Sequence, residues 1–68
     1  MTDKEIANLY RQLLICHIKR MKPHGKAQTM KRFALENDLY YTCIVREHFT
    51  EHWLWYKKEL VMLLKVEM

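Results

Sequence analysis

The sequence predicts an all-α protein, either a small three-helix bundle or a helical hairpin with a long C-terminal helix, in a single domain of residues 1–68. Apolar residues recur at three- and four-residue steps along much of the chain, which is the spacing of one helix face. The 68 residues include one glycine and one proline, so little interrupts a helix. Signals typical of helix starts also precede two of the apolar runs.

The first helix is predicted to run from Asp3 to Lys22. Thr2 and Glu5 have the spacing of a capping box, in which each side chain bonds the backbone N–H of the other residue. The helix should end before Pro23, because the residue preceding a proline is disfavoured in the α region. Its apolar face would comprise Ile6, Tyr10, Leu13, Leu14, Ile18 and Met21.

The second helix is predicted to start near Lys26, with Ala27, Met30, Phe33 and Ala34 on one face. Asn37 and Asp38 prefer caps and turns to helix interiors, so we expect a kink or break there without a loop. The stretch Leu39–Val45 is rich in strand-forming residues, and a strand is the alternative interpretation. A single strand, however, would have no partner with which to pair.

A third helix is predicted from Glu51 to Lys65, capped by Thr50, with Leu54, Val61 and Leu64 facing inward. No glycine or proline separates it from the second helix. The alternative is therefore one long fused helix.

Composition favours a binding protein with an acidic partner. The formal net charge is +4, and half of the residues are hydrophobic. So short a chain buries a thin core, and surplus apolar surface usually marks a partner site. The acids at the N-terminus argue against a secretory or transit peptide, and no apolar stretch approaches the ~20 residues that span a bilayer.

The reactive side chains form no recognised catalytic or metal-binding pattern, so we expect no enzyme activity and no metal site. His48 and His52 are four residues apart, but Phe49 stands where a metalloprotease has glutamate. Cys43 beside a histidine could only act as a nucleophile if a fixed geometry joined them. Cys16 and Cys43 are expected to be reduced, half-buried thiols, with a disulfide between two helices as the alternative.

A basic cluster surrounds the predicted turn between the first two helices. A positive patch of this kind is the footprint that nucleic acid requires, although few nearby residues suit base recognition. The alternative is a solvated end of the hairpin. The cluster consists of Lys19, Arg20, Lys22, Lys26, Lys31 and Arg32.

Two short segments carry a resemblance to a known family. Leu9-Tyr10-Arg11, followed by Leu13-Leu14, resembles the LYR motif of small mitochondrial helical proteins, which lies in their first helix. The segment 44–49, with Arg46 and Phe49, is similar to a second element of that family, although Thr50 stands where the family usually has arginine. The alternative for Leu9-Tyr10-Arg11 is an ordinary amphipathic helix, in which Leu9 and Tyr10 pack on the next helix and Arg11 meets solvent.

The resemblance implies a partner and a location. Members of that family bind the acidic mitochondrial acyl carrier protein, whose acyl-phosphopantetheine enters between their helices, so the chain would need no cofactor of its own. Tyr10 and Arg11 would then contact the carrier protein, and Arg46 and Phe49 would flank the acyl groove. The chain would be a mitochondrial accessory or assembly subunit for a respiratory complex or iron–sulfur machinery.

Two alternatives accompany that interpretation. The first is a small basic cytoplasmic regulator, encoded by a phage, plasmid or host, that binds nucleic acid or a protein target. The second is a structural subunit of a larger complex held by Trp53, Trp55 and Tyr56, because large aromatic residues dominate interface energetics. The second alternative is compatible with the carrier-protein interpretation.

Overall fold

The computed structural model describes residues 1–67, and it contains two helices followed by three strands. Their bounds are α1 Asp3–Ile18, α2 Pro23–Glu36, β1 Tyr40–Val45, β2 Phe49–Tyr56 and β3 Glu59–Glu67. The strands form one antiparallel sheet in the order β1-β2-β3. The all-α prediction was therefore wrong, and the chain is α+β. Met68, the last residue of the predicted domain, lies outside the described residues.

The two helices occur in the half of the chain where the sequence predicts them, with different bounds. The capping box is present: the Glu5 backbone N–H donates to Thr2 Oγ1 at 3.2 Å, and the Thr2 N–H donates to Glu5 Oε1 at 3.1 Å. These hydrogen bonds hold the pKa of the Glu5 carboxyl below its usual value. α1 ends at Ile18 rather than Lys22. α2 begins at Pro23 rather than near Lys26, because the missing N–H of proline costs nothing in a first helical turn.

The predicted kink at Asn37 and Asp38 is instead the end of α2 and a short loop. The Asn37 backbone N–H and side-chain amide both donate to the Phe33 carbonyl oxygen, each at 3.0 Å, and these bonds close the end of the helix. Asp38 has a φ of 55°, in the left-handed region that aspartate tolerates better than most residues. After this loop the chain enters β1. The sequence prediction of a helix that continues through this segment was wrong.

The predicted third helix is a β-hairpin made by β2 and β3. Tyr56 pairs with Glu59, so Lys57 and Lys58 alone form the turn, with a φ of 53° at Lys57. Apolar residues occur on both faces of these strands, which hides the alternation expected of a strand and mimics helical spacing. Thr50, read as a helix cap, lies inside β2 and pairs with Val45 and Val66.

The register divides the sheet into an inner face, covered by the helices, and an outer face. Alternate residues of a strand point to opposite sides, and paired residues point to the same side. Leu54 packs with the helices and pairs with Tyr41 and Met62, which defines the inner face. The outer face consists of Tyr40, Thr42, Ile44, Phe49, Glu51, Trp53, Trp55, Leu60, Leu63, Lys65 and Glu67.

The core lies between the inner face and the two helices. Its fully buried large side chains are Leu14 of α1, Met30 of α2, and Leu54 and Val61 of the sheet. A β-bulge opposite Leu54 leaves Val61 as the extra residue, so that Val61 and its neighbour Met62 both contact this core.

Replacing Leu54 with alanine tests this core. Leu54 is 0% exposed, so Leu54→Ala should lower the free energy of unfolding by about 2–5 kcal/mol. Leu63→Ala, on the outer face, is the matched control and should cost less than about 1 kcal/mol. Urea denaturation followed by circular dichroism measures both. Equal losses for the two variants would contradict the assignment of inner and outer faces.

Candidate functional site

The principal concavity is a groove between α1 and β3. Its cavity has a volume of about 560 Å³. Residues 60–64 of β3 form one wall. Arg11, Ile15 and Ile18 of α1 form the other, together with Lys19, which caps the end of that helix. Because consecutive residues of β3 line it, the groove follows the edge of the strand rather than one face.

The groove combines an apolar lining with cations. Arg11, Lys19 and Lys26 line it, and no acidic residue does so within residues 1–67. A second cavity of about 420 Å³ shares Arg11 and Leu60 with it and adds Lys4, so the concavity continues along α1. This second part also contains Glu5 and Glu59. The positive potential is therefore concentrated between Arg11 and Lys26.

β3 has an unoccupied edge beside this groove. In the part of the chain that the structure describes, β3 pairs with β2 only, so the backbone groups along its other side have no strand partner. Its nine residues include no proline, which is one of the usual guards of an edge strand. The bulge at Val61 distorts the edge locally without closing it.

The two residues of the LYR-like segment lie in different surroundings. Tyr10 is half-buried in the core, with its ring centroid 6.1 Å from that of Phe33 and 5.6 Å from that of Tyr56. Arg11 is exposed and lines the groove. Arg11 can therefore meet a partner directly, whereas Tyr10 supports the helix that presents it.

Arg46 and Phe49 lie on the opposite side of the sheet from α1. Arg46, in the loop between β1 and β2, donates from Nε to the buried Glu51 carboxylate at 2.9 Å. The Lys65 ammonium lies 5.2 Å from the centroid of the Phe49 ring, a cation–π contact. These predicted site residues do not join Tyr10 and Arg11 in one groove.

Trp53 and Trp55 stack on one another on the outer face. Their ring centroids are 5.7 Å apart with an interplanar angle of 5°. The Trp53 indole N–H is buried and has no hydrogen-bond partner among residues 1–67. Tyr56, grouped with them in the sequence, faces inward against Tyr10.

The six residues of the predicted basic cluster do not form one site. Lys19 and Lys26 line the groove, whereas Arg32 lines a separate cleft with His17 and Glu36. Arg20 and Lys22 lie in the turn between the helices, and Lys31 is exposed on α2.

The histidines and cysteines are dispersed. No group of three His, Cys, Asp or Glu side chains that could hold a metal occurs among residues 1–67. Cys16 and Cys43 are both exposed, rather than half-buried as predicted, and they form no disulfide within the described range. No helix in that range has the length and apolar character needed to cross a membrane.

His52 makes two side-chain contacts with neighbouring hydroxyl groups. It lies on the inner side of β2, where Tyr41 Oη is 2.7 Å from its Nδ1 and Thr50 Oγ1 is 3.3 Å from its Nε2. Burial lowers the pKa of His52 and raises that of the Tyr41 hydroxyl. A neutral imidazole suits this site, because its Nδ1 can then accept from the tyrosine.

The groove itself was missed from the sequence because β3 was predicted to be a helix. Alternation in the segment 59–67 is obscured by apolar residues on both sides and by the bulge at Val61. One signal in the sequence did favour a strand. Leu60–Leu64 is a short, continuous apolar run, which is consistent with a buried strand as well as with a helix.

Comparison of the chain with known protein families, curated proteins and solved structures finds no match. The LYR-type resemblance, and the partner and location it implies, therefore stay predictions.

The state of His52 predicts a pH dependence of stability. Its folded-state pKa is below the ordinary value of 6.5, so the unfolded chain binds the proton more readily. The free energy of unfolding should fall as the pH drops from about 7.5 to about 5.5, through the ordinary histidine pKa. Chemical denaturation at the two pH values measures it.

His52→Gln should flatten that dependence, because it removes the titrating group. His48→Gln is the matched control, since His48 lies in an exposed loop, and it should keep the wild-type dependence. The interpretation fails if the two variants behave alike.

Proposed function

We propose that the chain is a non-catalytic binding module that receives an acidic, partly apolar segment of a protein partner in the groove between α1 and β3. The observation that carries the proposal is the charge of this groove: among residues 1–67, three cations and no acid surround an apolar lining beside an open strand edge.

The shape of the groove favours an extended segment. An incoming strand can hydrogen-bond to the free side of β3 and become the fourth strand of the sheet. Its alternate side chains would point into the apolar lining, near Ile15, Ile18 and Leu64, or outward to water. Acidic residues in the segment would meet Arg11, Lys19 and Lys26.

The charge argues against a second copy of this chain as the occupant. Pairing two β3 edges across a two-fold axis would bring the cations of two grooves together, and like charges at an interface oppose association. An acidic partner gains attraction from the same cations and associates faster.

A role as accessory or assembly subunit follows from this mode of binding. The acyl carrier protein implied by the LYR-type resemblance is one acidic candidate, and Arg11 would be its contact. The acyl groove of that family lies between helices, whereas the core of this chain lies between helices and a sheet. We therefore propose that Arg11 would bind the surface of the carrier protein, and we do not propose that the acyl chain enters the core.

The proposal predicts binding of an acidic probe peptide. A fluorescein-labelled octapeptide in which Glu alternates with Val should bind the chain, and one in which Lys replaces every Glu should not. Raising the salt concentration should weaken the complex, because exposed charges are screened. Fluorescence anisotropy measures both effects. Purified acylated carrier protein serves as the second, natural probe.

Arg11→Glu should weaken binding of the acidic peptide by about five- to tenfold, which corresponds to about 1–1.4 kcal/mol. Lys31→Glu changes the net charge equally but lies outside the groove, so it should have a much smaller effect. Equal weakening by both variants, or preferential binding of a DNA oligonucleotide that Lys31→Glu disrupts, would refute the proposal in favour of diffuse attraction or nucleic acid.

A further inference from the structure

The outer face of the sheet is a second surface, which shares Leu60 and Leu63 with the wall of the groove. The helices contact the inner face, and no outer-face residue belongs to the core they form within residues 1–67. Tyr40 is 65% exposed, Leu60 44% and Leu63 37%, so large apolar side chains reach solvent here. A contiguous apolar face of this kind is normally covered by something.

The side chains of the outer face are ordered in rows across the three strands. One row holds Tyr40, Trp55 and Leu60, and the next holds Thr42, Trp53 and Leu63. These two rows carry no charge. The charges begin in the third row, where Glu51 and Lys65 lie, and continue toward the loop that carries Arg46.

The outer face is electrically neutral although the chain has a net charge of +4. Its two acids, Glu51 and Glu67, are matched by Lys65 and by Arg46, whose guanidinium is bonded to Glu51. An acidic partner or a phosphate backbone would find no excess of cations there. Two identical neutral faces, in contrast, bring no excess of like charge into contact, and salt screens the repulsion between the net charges of the two copies.

We infer that this face packs against the same face of a second copy of the chain, forming a two-fold symmetric dimer. Sheets stack face to face about 10 Å apart with interdigitated side chains. The dimer would have four layers, with the sheets inside and the helices outside. Apart from Leu60 and Leu63, the residues that line each α1–β3 groove lie outside the outer face, and the inference does not depend on the proposed function.

The size of the face predicts a weak dimer. A nine-residue strand is about 30 Å long, and three strands are about 14 Å wide, giving roughly 400 Å² of plan area per copy. Accessible surface exceeds plan area because side chains project from the sheet, so two copies together would bury about 1,000–1,200 Å². This area is at the lower limit for a specific interface. We therefore expect a micromolar dissociation constant.

The tryptophans report on this face directly. The chain has two tryptophans, Trp53 and Trp55, and both lie on the outer face, so intrinsic fluorescence has no other source of indole signal. Between about 1 and 500 µM protein, sedimentation velocity should show conversion of monomer to dimer. Acrylamide quenching of tryptophan should fall at least twofold over the same range. Salt should not weaken the dimer.

Leu63→Glu should shift the chain to monomer at every concentration, and Leu13→Glu is the matched control. Leu13 is 55% exposed on α1, so the same substitution there should leave the dimer intact. Tyr40→Lys is a second interface variant, and circular dichroism verifies that each variant is folded.

Three outcomes would overturn the inference. The first is a wild-type chain that stays monomeric up to 500 µM. The second is a dimer that Leu13→Glu disrupts and Leu63→Glu and Tyr40→Lys leave intact. The third is a monomer whose tryptophans are quenched by an oligothymidylate probe, which would make the face a stacking surface for single-stranded nucleic acid.

Discussion

The packing of two helices onto one side of a three-stranded sheet is the constraint on which the rest of this structure depends. Leu54, in the central strand, is enclosed by residues of both helices and of the neighbouring strands. Among residues 1–67, two helices cover one face of the sheet and no further element covers the other. Within the same residues, β3 pairs with β2 only, so its other edge has no strand partner.

Charge is distributed unevenly around this scaffold. The cations Arg11, Lys19 and Lys26 project into the groove on the helix side, whereas the outer face balances its acids and bases. The groove and the outer face therefore favour different binding partners. The groove favours an acidic segment through long-range attraction, which salt weakens. The outer face favours an apolar surface like itself, for which salt has little consequence.

The sequence was informative where a local rule dominates. The capping box at Thr2 and Glu5 depends on neighbouring residues, and α1 begins where this signal predicts. The end of α1 was predicted at Lys22, but α1 ends at Ile18 and Pro23 begins α2. The segment after Asn37 was predicted wrongly because strand pairing is non-local. A strand formed by Leu39–Val45 was discounted for want of a partner, and its partner is the segment 49–56, which had been read as a helix. Of the predicted site residues, Arg11, Lys19 and Lys26 line the groove, but its other wall could not be foreseen without β3.

The most direct test of the proposed groove is a ¹⁵N-resolved NMR titration of the chain with the alternating Glu–Val octapeptide, combined with amide hydrogen exchange. We expect chemical-shift changes in residues 60–64 of β3 and in the part of α1 between Arg11 and Lys19. Amides along the open edge of β3 should exchange more slowly, because they gain hydrogen bonds. Shift changes centred on the outer face around Trp53 and Trp55, with no added protection in β3, would contradict the account.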